Sequence, residues 1–176
     1  MKLNVKEIAV FGMLGSLMFA SKVAMQALAN IHLLGAFIVA FTVVYRKKAL
    51  YPIYIYVFLE GLFYGFNTWW FPYLYIWTIL WGIAMLLPKN MSEKASVVVY
   101  TVVCSLHGLS FGILYAPAQA LFFGLDFKAT LAWIASGAPF DIAHCIGNFL
   151  SSLLIVPLIK ASSLLMNKSS NLRIRL

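Results

Sequence analysis

Charge is what this sequence has least of. Of 176 residues, 10% are Asp, Glu, Lys or Arg, and five are acidic. A soluble globular domain carries about a quarter charged residues, so the scarcity excludes an ordinary water-soluble domain. Cysteine is also scarce. Cys104 and Cys145 both lie in apolar stretches. They form neither a disulfide framework nor a metal motif, and read as buried thiols. No GxxxxGK[ST] sequence occurs, so the chain carries no loop that cradles ATP phosphates. No GxSxG setting or paired-acid motif points to a hydrolase or transferase, and the chain reads as a non-enzyme.

What fills the sequence is apolar: 63% hydrophobic and 16% aromatic residues. It falls into six apolar segments, Ile8–Leu28, Asn30–Tyr45, Ala49–Phe66, Phe71–Leu87, Ala95–Phe123 and Ala129–Leu158. The expectation is a single integral membrane domain over residues 1–176, an all-α bundle of six transmembrane helices. The N-terminal run looks like a signal sequence but continues past signal length into further spans, so it reads as the first helix. The second segment is short, about 24 Å as a helix against a hydrocarbon core of about 30 Å. The last two exceed one span; tilt, breaks at Pro117 and Pro139, or extension beyond the bilayer would absorb the excess.

The net charge of +8 sits in short clusters between the apolar runs. That is the pattern of a membrane orientation signal, not of a nucleic-acid-binding stripe. With the N-terminus in the cytoplasm, the inner side receives Lys2, Lys6, Arg46, Lys47, Lys48, Lys89, Lys94, Lys160, Lys168, Arg173 and Arg175. The outer side receives Lys128, and Lys22 lies within the first span. Both termini are therefore predicted to be cytoplasmic, and the aromatic loop around Trp69 and Trp70 to be outside.

Polar residues inside apolar segments are costly and mark function by default. Asp141, His144 and Asn148 are spaced by three and four residues, so they share one side of a helix. With Trp133 they read as one wall of a small-molecule site; the plainer alternative is a hydrogen-bonded cluster between helices. Glu60 reads as a partner of Lys22, as a protonated acid or as a site residue. His107, Phe111, Tyr115 and Gln119 share a face of the fifth segment, beside Gly108 and Gly112, which permit close helix approach. Trp69, Trp70, Tyr73 and Trp77 gather at the start of the fourth segment, as aromatics do around a flat ligand or at a membrane interface. Gly12, Ser16, Ala20 and Ala24 form a stripe of small residues on the first segment, suited to a close-packed partner helix.

The whole chain resembles the substrate-binding S components of energy-coupling factor (ECF) transporters, which take up vitamins and related micronutrients in prokaryotes. The resemblance rests on length, six spans, the first-span stripe, Pro139–Asn148 (PFDIAHCIGN) and His32–Pro52 (HLLGAFIVAFTVVYRKKALYP). The alanine repeat frequent in that family's first span is replaced here by Gly12 and Ser16.

The resemblance implies a multi-pass protein of the plasma membrane that binds its substrate from outside, in the outer halves of the later spans. It implies three partners, a transmembrane coupling subunit packed on the first-span stripe and two cytoplasmic ATPases. ATP is then used by the partners, and the chain itself needs no cofactor. The substrate expected is a small aromatic heterocycle, such as pyridoxine, a pyrimidine, a thiamine-like compound or a deazapurine. Rival readings are a haem or metal protein with His107 and His144 as ligands, and an independent small transporter.

Overall fold

The computed structural model describes residues 3–165. Lys2, Lys168, Arg173 and Arg175, counted in the charge asymmetry, lie outside the described residues. The fold is all-helical, with no strand among the described residues.

Helix α1 (Val5–Ala24) opens on a capping box. The Asn4 side chain accepts from the Glu7 amide at 2.8 Å, and the Glu7 carboxylate accepts from the Asn4 amide at 3.2 Å. Two of the first-turn N–H groups are thereby satisfied. Past Ala24 the chain leaves the helix through turns joining Leu28 to Met25 and Ile31 to Leu28. Asn30 takes a left-handed φ of 58° there, a conformation asparagine tolerates better than most residues.

Helix α2 (Leu34–Tyr45) is buried on nearly every side; only Val43 is half-exposed. Its sequence has no polar face, as expected of a helix enclosed all round. The Thr42 hydroxyl donates to the Ile38 carbonyl one turn back at 2.6 Å, and the Tyr45 hydroxyl, at the helix's end, donates to the Ser162 carbonyl at 2.8 Å. A 3-10 turn, Arg46–Ala49, follows. Arg46 has a φ of 54°. Its guanidinium donates to the Met85 carbonyl, and its own carbonyl accepts from Trp81 Nε1 at 3.2 Å.

Helices α3 (Leu50–Tyr64) and α4 (Phe71–Leu86) follow, the latter with Pro72 in its first turn, where a missing N–H costs little. Gly15 lets α1 lie against α3: a Cβ there would meet Ile55 and, at 2.9 Å, the Pro52 carbonyl.

The fifth apolar segment is two helices, α5 (Glu93–Leu109) and α6 (Phe111–Phe123), joined at Ser110. Ser92 caps α5 by accepting from the Ala95 amide, and α6 ends on Gly124, left-handed at φ 63°. The sixth is α7 (Phe127–Ser152), capped by Asp126, and α8 (Ile155–Leu165), bent by 56° from it.

Neither Pro117 nor Pro139 breaks its helix. The break falls at Leu153–Leu154 instead. Pro157 lies just beyond it, and in a continuous helix its ring would collide with the Leu153 carbonyl four residues back. The last turn of α7 closes by shorter-range bonds, from Leu153 to Leu150 and from Leu154 to Ser151.

Two stretches, Val5–Ala24 and Glu93–Phe123, are long and apolar enough to cross a membrane, and the bent pair α7–α8 makes up to three. At 1.5 Å per residue, α2, α3 and α4 are about 18, 23 and 24 Å long, each shorter than the hydrocarbon core of about 30 Å. Helices α5 and α7 share the broadest helix–helix contact in the bundle. Gly108 makes it close: a Cβ there would lie 2.9 Å from the His144 backbone.

Candidate functional site

The connection between α1 and α2 does not simply link helices. Together with the ends of α1 and α3, the start of α4, Phe111 and His144 it borders a partly open cavity of about 420 Å³. Met25, Gln26, Ala29, Asn30, Ile31 and His32 line it from the connection. Two side-chain hydrogen bonds tie this connection down, from Tyr64 Oη to Gln26 Oε1 at 3.2 Å and from Asn30 Nδ2 to the Phe140 carbonyl at 3.3 Å. Gly147 gives it room, since Ile31 lies where a Cβ would reach.

One wall carries charge. Lys22 Nζ donates to Glu60 Oε2 at 2.8 Å and to Tyr73 Oη at 3.4 Å, and lies 5.1 Å from the centre of the Tyr73 ring. Glu60 is fully buried, and its second oxygen, Oε1, has no hydrogen-bond partner among the described residues.

The other wall is made of rings. His32 and His144 meet edge to face with centroids 4.7 Å apart, and Phe111 lies 4.8 Å from His144. His32 Nδ1 and His144 Nε2 also lack partners among the described residues. The two imidazoles are in edge-to-face van der Waals contact.

Of the residues singled out from sequence, Lys22, Glu60, Trp69, Tyr73, Phe111 and His144 line the cavity. Trp77 is buried behind the lining, its centroid 5.7 Å from Tyr73, 6.0 Å from His32 and 5.7 Å from His107. His107 is buried at the same layer, and its Nε2 donates to the Ile76 carbonyl at 3.2 Å. Trp70 anchors α4 to α3 by donating from Nε1 to the Val57 carbonyl at 2.8 Å. Tyr115 donates to the Trp69 carbonyl at 3.2 Å and stacks on Trp133 at 5.8 Å. Both therefore support the Trp69 loop without lining the cavity. Gln119 is half-buried on α6, also away from the lining.

Asp141 and Asn148 belong to contacts between helices. Asp141 Oδ1 accepts from the Gly112 amide at 3.0 Å. It thus satisfies one of the N–H groups exposed where α6 begins, at a helix end that favours negative charge. The Asp141 carboxylate sits where a Cβ on Gly112 would be. Asn148 donates from Nδ2 to the Cys104 carbonyl at 2.9 Å, in a space opened by Gly35 and Gly108. One helix face thus carries two clamps, with a cavity residue, His144, between them.

The small residues of α1 point elsewhere. Gly12 is half-exposed, with open space where a side chain would project, and Ser16, Ala20 and Ala24 are exposed.

No protein-family model, curated protein or solved structure matches the chain.

The cavity residues that sequence reasoning missed are those of the α1–α2 connection, His32 above all. A signal was present. The first two apolar segments are separated by one residue, Ala29, so any turn between them had to be built from residues assigned to the spans.

Proposed function

We propose that this chain is the substrate-binding S component of an ECF-type uptake transporter. In this reading it spans the plasma membrane of a prokaryotic cell six times, with both termini cytoplasmic. It captures a small water-soluble vitamin or related aromatic heterocycle from the outer side. A transmembrane coupling subunit packs on Gly12, Ser16, Ala20 and Ala24, and two ATPases drive release inward.

The observation that carries the reading is the cavity beneath the α1–α2 connection. Its lining joins aromatic rings to buried polar atoms without partners. Unsatisfied buried polar atoms are costly, and a pocket with aromatic walls and a few convergent polar groups is the usual form of a small-molecule site. Its volume of about 420 Å³ falls within the range of such sites.

Two measurements on protein extracted from membranes test this. Mass spectrometry of the denatured sample should release a small aromatic compound. A tagged chain should also retain a coupling subunit and ATPases expressed with it. A bound compound without those partners would make the chain an independent transporter or receptor. Neither compound nor partners would overturn the reading.

A further inference from the structure

The atoms left without partners in the cavity describe the molecule that would satisfy them. A carboxylate only accepts hydrogen bonds, and an ammonium only donates, up to three. Glu60 Oε2 is engaged by Lys22, whereas Oε1 has no partner among the described residues. Tyr56 lies close enough to interact with that carboxylate, but no hydrogen bond of normal geometry joins them. Lys22 uses two of its donors, on Glu60 and Tyr73, which leaves one N–H. Both side chains line the cavity. The wall therefore offers an acceptor, Glu60 Oε1, beside a donor on Lys22 Nζ.

The charges of Lys22 and Glu60 cancel. A cationic ligand head would meet the ammonium and an anionic one the carboxylate; a neutral group with a donor next to an acceptor would meet neither penalty. Around this wall stand Tyr73, Trp69 and Phe111, whose faces and edges suit a flat ring.

Resting on the reading of this cavity as a substrate site, we infer that its ligand is a neutral, flat heteroaromatic bearing an amidine-type edge. An exocyclic amino group donates to Glu60 Oε1, and the adjacent ring nitrogen accepts from Lys22 Nζ. His144 Nε2 and His32 Nδ1 serve the far side of the ring. Glu60 is then the residue that determines specificity.

The test uses the purified full chain in lipid nanodiscs and two isosteric probe pairs, 4-aminopyrimidine with 4-methylpyrimidine and adenine with 6-methylpurine. Within each pair, exchanging amino for methyl removes the donor and keeps the shape. Binding is read by ligand-observed NMR titration. A hydrogen bond to a charged acceptor contributes about tenfold or more in affinity, so at least one amino probe should bind roughly tenfold tighter than its methyl partner. In Glu60→Gln, Lys22 draws the amide oxygen and turns the NH2 to the cavity, and the ratio should fall to about one.

If Glu60→Gln is not recovered monodisperse, Lys22→Met/Glu60→Met, which strands no charge and leaves no acceptor at this wall, should show the same collapse. A ratio that persists in the variant, equal binding within both pairs by the native protein, or no binding of either amino probe would overturn the inference. These outcomes are separate from failure of the S-component reading. A co-purified compound without an amidine edge sinks only the ligand class, whereas absence of any compound and of the ATPase partners sinks the reading beneath it.

Discussion

The two ends of the bundle hold opposite charges together in different surroundings. At the cavity end, the side chains of Lys22 and Glu60 are 23% and 1% exposed. At the other end, Lys160 and Glu93 are 49% and 38% exposed, with the ion pair 3.2 Å long. Water screens the second pair and can replace either partner. It does so far less for Glu60, whose Oε2 is held by Lys22 and whose Oε1 is buried without a partner among the described residues. The same residue chemistry thus decorates one end and defines the other. Lys48 and Glu7 stand between these cases, since Glu7 is buried but also completes the α1 capping box.

The comparison breaks first on Lys22. Lys22→Ala leaves a buried, unpaired carboxylate and should cost about 3–5 kcal/mol, read as a large drop in thermal unfolding temperature in detergent. Lys22→Met/Glu60→Met should recover most of that loss. If the single variant unfolds where the native protein does, the cavity end is as well hydrated as the other.

A smaller effect sharpens the division within α7. Asp141→Ala removes the acceptor from the Gly112 amide and should cost about 1–2 kcal/mol of stability, with ligand affinity of the folded protein retained. His144→Ala should lower affinity about ten- to a hundredfold with less loss of stability. Thermal unfolding together with a titration of the co-purified compound separates the two. An affinity loss in Asp141→Ala equal to that in His144→Ala would place both in the site.

The smallest effects belong to the exposed positions. Lys160→Ala should change stability by less than about 1 kcal/mol. Ser16→Leu, on an exposed face, should stay within about 0.5 kcal/mol of the native protein, yet abolish retention of the coupling subunit that the S-component proposal requires, read in a pull-down. A clear fall in unfolding temperature in Ser16→Leu would mean that this face packs inside the folded chain.

Helical class was legible from composition and the apolar segments, because little other than helix satisfies the backbone of such a chain. Helix starts were read too late: the expected segments begin at Ala95 and Ala129, three residues inside the caps that Ser92 and Asp126 supply, because apolar runs alone set their bounds. Breaks were not legible. Prolines inside a segment drew attention to residues 117 and 139, whereas the bend follows from Pro157, close enough to the segment's end to look like its terminus. The Lys22–Glu60 contact was one of the alternatives open from sequence, and the structure forms it. The division of Asp141, His144 and Asn148 could not be read from their shared helix face. It depends on which glycine of a neighbouring helix lies opposite each side chain, and helical periodicity carries no information about neighbours.

Helix α2 has a consequence for how the protein is made. It is synthesised before α4, α5, α7 and α8, all of which pack against it. Until they arrive, its flanks face whatever surrounds the nascent chain. Little in α2 has to wait for a polar partner: the Thr42 hydroxyl is already bonded to its own backbone, and it is the Tyr45 hydroxyl, at the helix's end, that gains its partner late, the Ser162 carbonyl of α8. The segment that ends up most enclosed thus depends on its later neighbours mainly for apolar cover, and the bundle can close around it in the order in which its helices emerge.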